Sequence, residues 1–99
     1  MYHKKKVQSA LSKTLIEWRH EKSLSQEQLA ALCGLSRQYL SRLEACKQLP
    51  RLDSLFLILV SLGKSFGDLG KALDGILLET EKRDSVKMAA EKGPFWNEK

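Results

Sequence analysis

The sequence predicts an all-α domain of five helices, on three observations. Apolar residues recur at helical spacing from Leu11 to Leu77, and no segment alternates between turn residues as a strand would. Helix starts are marked by Ser25, Ser36 and Ser65, and stops by Gly34 and Gly63. The chain has 99 residues, enough for one small core and not for two.

Each element follows from local chemistry. Leu11, Leu15 and Trp18 stand at i, i+4 and i+7 and predict a first helix from about Gln8 to Glu21. Ser25 with Gln28 three residues on is a capping box opening a second helix that buries Leu29, Ala30 and Leu32. Gly34 ends it, because a left-handed residue costs least without a Cβ. Ser36 caps a third helix running to about Glu44. Pro50 breaks the chain, and Leu52 to Leu62 form a fourth, mostly buried helix. Ser65 with Asp68 is a second capping box, and Phe66, Leu69, Leu73, Ile76 and Leu77 give a fifth helix its apolar stripe.

Charge narrows the partners. There are 17 Lys and Arg against 12 Asp and Glu, a net charge of +5. The excess is uneven: residues 1–51 carry ten basic and four acidic side chains, residues 52–99 seven and eight. A positive first half suits an anionic partner, although a solvated basic surface would read the same by composition alone. Two cysteines, Cys33 and Cys46, and two histidines, His3 and His20, complete neither a redox pair nor a metal pattern. No cofactor is expected. There is also no nucleophile–base pair or phosphate-cradling loop, so no enzyme is expected. No apolar stretch of signal-peptide length follows the basic start, and Leu55–Val60 is too short to span a bilayer. A cytoplasmic protein without membrane contact, its thiols reduced, is the expectation.

The third helix is the element that carries chemistry. Projected at about 100° per residue, it puts Leu40 and Leu43 on one side and Arg37, Gln38, Ser41, Arg42 and Ala45 on the other. A surface helix would also be polar there. The turn at Gly34 and the small Ala30 at the crossing let this helix project from the body, as one entering the major groove of DNA must. Arg can donate twice to guanine O6 and N7, and Gln can pair with adenine N6 and N7. Arg37 and Gln38, in the first turn, are the favoured base readers, while either Arg37 or Arg42 could serve a phosphate instead.

Residues 11–69 resemble the phage-repressor, or xenobiotic-response-element, family of helix-turn-helix domains. The resemblance rests on Arg19, Ser25-Gln-Glu-Gln-Leu-Ala30, Gly34-Leu-Ser36, Tyr39-Leu-Ser-Arg-Leu-Glu44, Pro50 and Leu62-Gly-Lys-Ser-Phe-Gly-Asp-Leu69. It implies a five-helix, lambda-repressor-like domain that binds double-stranded operator DNA as a homodimer. It further implies that Gln26 touches a phosphate and braces the third helix, and that Arg37, Gln38 and Arg42 read bases. Ser36, Ser41, Tyr39, Ala45 and Lys47 then lie along the DNA, with Tyr39 either packing or reaching a phosphate. Arg19 and Glu44 form a structural ion pair tying the first helix to the end of the third.

Two positions depart from the family pattern. Cys46 stands where the family commonly has Gly, at a cost of roughly 1 kcal/mol if the backbone there is left-handed. A redox role for Cys46 is weighed against that of an incidental small residue, and the latter is preferred. Arg51 stands where a Ser or Thr cap often begins the fourth helix, and an exposed Arg there could contact phosphate.

The expected organisation is a basic N-terminal arm over 1–7, the helix-turn-helix domain over 8–78 and a charged extension over 79–99. Lys4, Lys5 and Lys6 are read either as an arm that follows the DNA backbone or as a merely solvating tail. Phe95 and Trp96 near the end are expected to pack on the domain, with Ile16 and the stripe of the fifth helix as candidate surfaces, or across a dimer. The expectation is a sequence-specific repressor on a palindromic operator. The alternative is the antitoxin of a toxin–antitoxin pair, its tail holding the toxin.

Overall fold

The structure is a computed structural model and describes residues 4–78. Its helices are α1 (Lys4–Glu21), α2 (Gln26–Cys33), α3 (Arg37–Glu44) and α4 (Leu52–Ser61), followed by α5 over residues 66–78. No strand occurs among the described residues. Expectations placed on residues 1–3 and 79–99, including the Phe95–Trp96 pair, lie outside them.

The helix ends are built as their residues dictate. Ser25 Oγ accepts from the Gln28 N–H at 3.0 Å, and Gln28 Oε1 accepts from the Ser25 N–H at 2.8 Å. Ser65 and Asp68 repeat the arrangement at 3.0 and 2.9 Å ahead of α5. The backbone N–H of Ser65 first, and the Ser65 hydroxyl second, hold the Asp68 carboxyl below its ordinary range. Each of α1 to α4 ends on a left-handed residue: Ser23 (φ 57°), Gly34 (φ 72°), Cys46 (φ 61°) and Gly63 (φ 72°). In each case the next N–H reaches back to satisfy a carbonyl of the last turn, as Leu35 does to Ala30 at 2.9 Å and Lys47 to Arg42 at 2.9 Å.

The core lies where α1, α2, α3 and α4 meet. Leu15, Leu29, Leu40, Ile58 and Leu62 are shut from water, with Leu11, Ala30, Cys33, Leu43, Leu59 and Leu69 around them. Trp18 covers one edge, with the Lys64 ammonium 4.9 Å from its ring centroid. At the other end of α1, Lys5, Lys6, Ser9 and Ala10 line a cleft against Ile76 and Leu77 of α5.

Three expectations are corrected. First, α1 already includes Lys4, well ahead of Gln8, so the three lysines stand on its first turn. Lysine is a good helix former, and nothing from Lys4 to Val7 breaks the pattern that Leu11 continues. Second, Leu32 is exposed and Cys33 is buried in its place. The buried arc of α2 is centred between Leu29 and Ala30, and at about 100° per residue Leu32 falls roughly 110° from that centre. Third, α4 is buried along one face only. Leu55, Ile58, Leu59 and Leu62 form the seam, while Leu52, Phe56, Leu57 and Val60 face water.

Candidate nucleic-acid interface

The site is built from α3 outward. Ser36 has extended backbone, and its hydroxyl accepts from the Tyr39 N–H at 3.0 Å, which fixes the first turn of α3. Leu40 and Leu43 are buried below the helix. Packing them inward turns the opposite arc to water, and there Arg37, Gln38, Ser41 and Arg42 line one shallow depression. Arg37, Gln38 and Arg42 are exposed, and Ser41 is half-buried. The Arg37, Gln38 and Lys47 side chains make no hydrogen bond or ion pair among the described residues.

The far end of α3 is held from beneath. Glu44, its side chain 4% exposed, takes a bidentate grip from Arg19: Nε donates to Oε2 at 2.7 Å and Nη2 to Oε1 at 2.9 Å. The Gln26 amide donates to Oε1 at 2.9 Å. Arg19 Nη1 donates to the Leu24 carbonyl at 2.8 Å, and the Ser12 hydroxyl donates to the Glu44 carbonyl. One carboxylate thereby ties together α1, the start of α2 and the end of α3. Fork-to-fork pairing of this kind sets orientation as well as strength. Gln26 stands at this brace, half-buried.

Beyond α3 the left-handed Cys46 turns the chain back alongside the helix. That reversal brings Gln48 to Arg42, whose Nε donates to Gln48 Oε1 at 2.9 Å. The two terminal nitrogens of Arg42 are left facing outward, and it is these that can address a base or a phosphate. Tyr39 is half-buried, and its hydroxyl accepts from the Arg51 N–H at 3.2 Å. That N–H opens α4, where Arg51 supplies no side-chain cap of its own. The exposed Arg51 guanidinium lies 3.3 Å from Asp53. Tyr39, Arg42, Arg51 and Ser54 line a second depression with Gly34, Leu35 and Ser36, joining the start of α3 to the start of α4 on one surface.

The site residues expected from sequence thus fall into two groups. Ser36, Arg37, Gln38, Tyr39, Ser41, Arg42 and Lys47 belong to the outer face of α3 and its flanks, while Arg19, Gln26 and Glu44 lie together behind it. Gln48 was not foreseen. Its separation of six residues from Arg42 fits no helical pairing rule and becomes a contact only because Cys46 reverses the chain. The Cys46 thiol is exposed and sits 3.9 Å from the Gln8 carbonyl.

Arg37, Gln38 and Arg42 in the first depression, with Arg51 in the second, offer donors to phosphate oxygens and to base edges alike. No helix among the described residues is long and apolar enough to cross a membrane. Comparison with known proteins agrees with this geometry. The crystal structure of the clp gene regulator ClgR from Corynebacterium glutamicum is similar at a TM-score of 0.69 and 25% identity, over 89% of this chain and 95% of that one. No protein of curated function matches the chain. The helix-turn-helix family profile matches residues 15–69, more than half of the sequence. The chain therefore belongs to the helix-turn-helix family, of the Cro/C1 or xenobiotic-response-element type.

Proposed function

We propose that this DNA-binding transcriptional regulator is a repressor that binds a palindromic operator as a homodimer, with α3 laid in the major groove of each half-site. One observation carries the reading: Arg37, Gln38, Ser41 and Arg42 share a single outward depression on a helix whose opposite face is fixed in place. Arg37 and Gln38 enter deepest and read bases, Arg42 reads a base or grips a phosphate, and Ser36, Ser41, Tyr39 and Lys47 follow the sugar–phosphate strand. Gln26 spends one amide hydrogen on Glu44 and offers the other, or its backbone N–H, to a phosphate. Two such helices meet successive major grooves when they are about 34 Å apart. Support comes also from the family and from the similar structure, which is that of a gene regulator.

Selection of bound duplexes from a random pool tests this reading. A palindrome with two equivalent halves is expected. Arg37→Ala or Gln38→Ala relaxes preference at one or two positions per half, whereas Lys47→Ala weakens all sequences alike. Enrichment of no sequence, or loss of preference in the Lys47 variant alone, overturns it.

A further inference from the structure

Among the described residues, the exposed side of α4 is a large apolar surface that the DNA reading leaves unused. Leu52 is 73% exposed, Phe56 52% and Val60 56%, at i, i+4 and i+8 on one row, with Leu57 beside them. Phe66 of α5 extends the row, its ring stacked on Phe56 with centroids 6.0 Å apart. Single exposed apolar residues are ordinary, but five in contiguous rows leave on the order of 500 Å² of apolar surface in water, at the upper end for a free monomer. A standard interface takes about 800 Å² from each partner, somewhat over half of it apolar. The face supplies about that share.

Its charge pattern points to one occupant. In a two-fold interface the residues near the axis meet their own copies, so a charge there opposes itself. The outer faces of α1 and α3 carry Lys5, Lys13, Glu17, Arg37 and Arg42, whereas α4 has a single charge, Asp53, paired with Arg51 at its edge. The row Leu52, Phe56, Val60 itself carries no cation or anion, so nothing along it repels its own image. The location fits as well: the Tyr39–Arg51 hydrogen bond sets the start of α4 against α3, so pairing here brings two reading helices to either side of one axis.

We infer that the Leu52–Phe56–Val60 face of α4, with Phe66, is where a second copy of this chain docks, Phe56 lying beside its symmetry mate. This deepens the proposed function and rests on its dimeric form. Sedimentation equilibrium of the full chain at tens of micromolar, without DNA, is expected to give twice the 11.2 kDa protomer mass. Phe56→Glu and Val60→Lys, both at exposed positions, are expected to give monomers with the wild-type helical circular-dichroism spectrum. A monomeric wild type overturns the inference and assigns the face to the chain's own residues 79–99 or to another protein. Persistence of the dimer in either folded variant overturns it too.

Duplex binding separates the two levels. The monomeric variants should bind a single half-site as the wild type does, yet lose about 100-fold or more on the full palindrome, because tethering two modules multiplies avidity by that order. Dimerisation through this face with no duplex bound would sink the regulator and leave the interface standing.

Discussion

Glu44 accepts three side-chain hydrogen bonds in a place nearly closed to water, two of them from Arg19, whose other partner is the Leu24 carbonyl. Removing the carboxylate strands the Arg19 guanidinium, which is itself only 11% exposed. Breaking a buried pair from one side costs roughly 3–5 kcal/mol, whereas an exposed side chain without partners changes stability by about 0.5 kcal/mol or less. Glu44→Ala should therefore melt far below wild type and Arg37→Ala close to it; equal melting temperatures would deny the brace its structural role. Cys46 presents the opposite case, a residue that costs stability where it stands. A side chain in the left-handed region costs roughly 1 kcal/mol relative to Gly. Cys46→Gly should raise the melting temperature by about 4–8 °C, the shift such a gain gives a domain of this size. A lower melting temperature would mean that the contact between the thiol and Gln8 contributes more than the backbone loses.

At the scale of elements, Cys33 reports on the packing of α2 against α4. Its thiol reaches the Leu57 carbonyl at 3.7 Å and Ser61 Oγ at 3.5 Å. Burial pushes its ionisation above the ordinary 9.0, with the Ser61 contact opposing in part. The folded chain thus keeps a proton that the unfolded chain gives up first. The stability this group contributes is whole below about pH 9 and falls as pH rises beyond it. Denaturant melts at pH 8 and pH 10, with Cys33→Ala as the reference, should show the gap between the two proteins narrowing at the higher pH. Groups common to both cancel in that difference, and a constant gap would place the thiol in contact with water. The same helices show where a sequence is legible. The turn between α2 and α3 could be read because Ser25, Gly34 and Ser36 each do something only their residue type does well. The faces of α4 could not. Leu55–Val60 is apolar without interruption, so no polar phase says which side turns inward. In α2 only eight residues set the phase, and a rotation of one position exchanged Leu32 for Cys33.

For the molecule as a whole, charge and apolar surface are divided between two regions. Basic groups lie on α1 and on the outer side of α3, and exposed hydrocarbon on the outer row of α4. Composition gave the first, because the charge excess lies in residues 1–51. The second emerged only once the seam of α4 was fixed by its neighbours. Between them runs the segment 45–51, fastened to α3 twice, by Arg42 to Gln48 and by Tyr39 to Arg51.

That double fastening bears on the thermodynamics of meeting a duplex. A segment that orders only on arrival buries its own surface at that moment, and the association then carries a large negative heat-capacity change and an entropic penalty. Here the arrangement is in place beforehand, and preorganisation of this sort removes most of that penalty. Titration calorimetry at several temperatures should give a modest heat-capacity change for the wild type. Gln48→Ala, which frees one fastening without touching the outward nitrogens of Arg42, should make it more negative and the entropy less favourable. Identical values for the two proteins would mean that the segment is held by something other than these bonds.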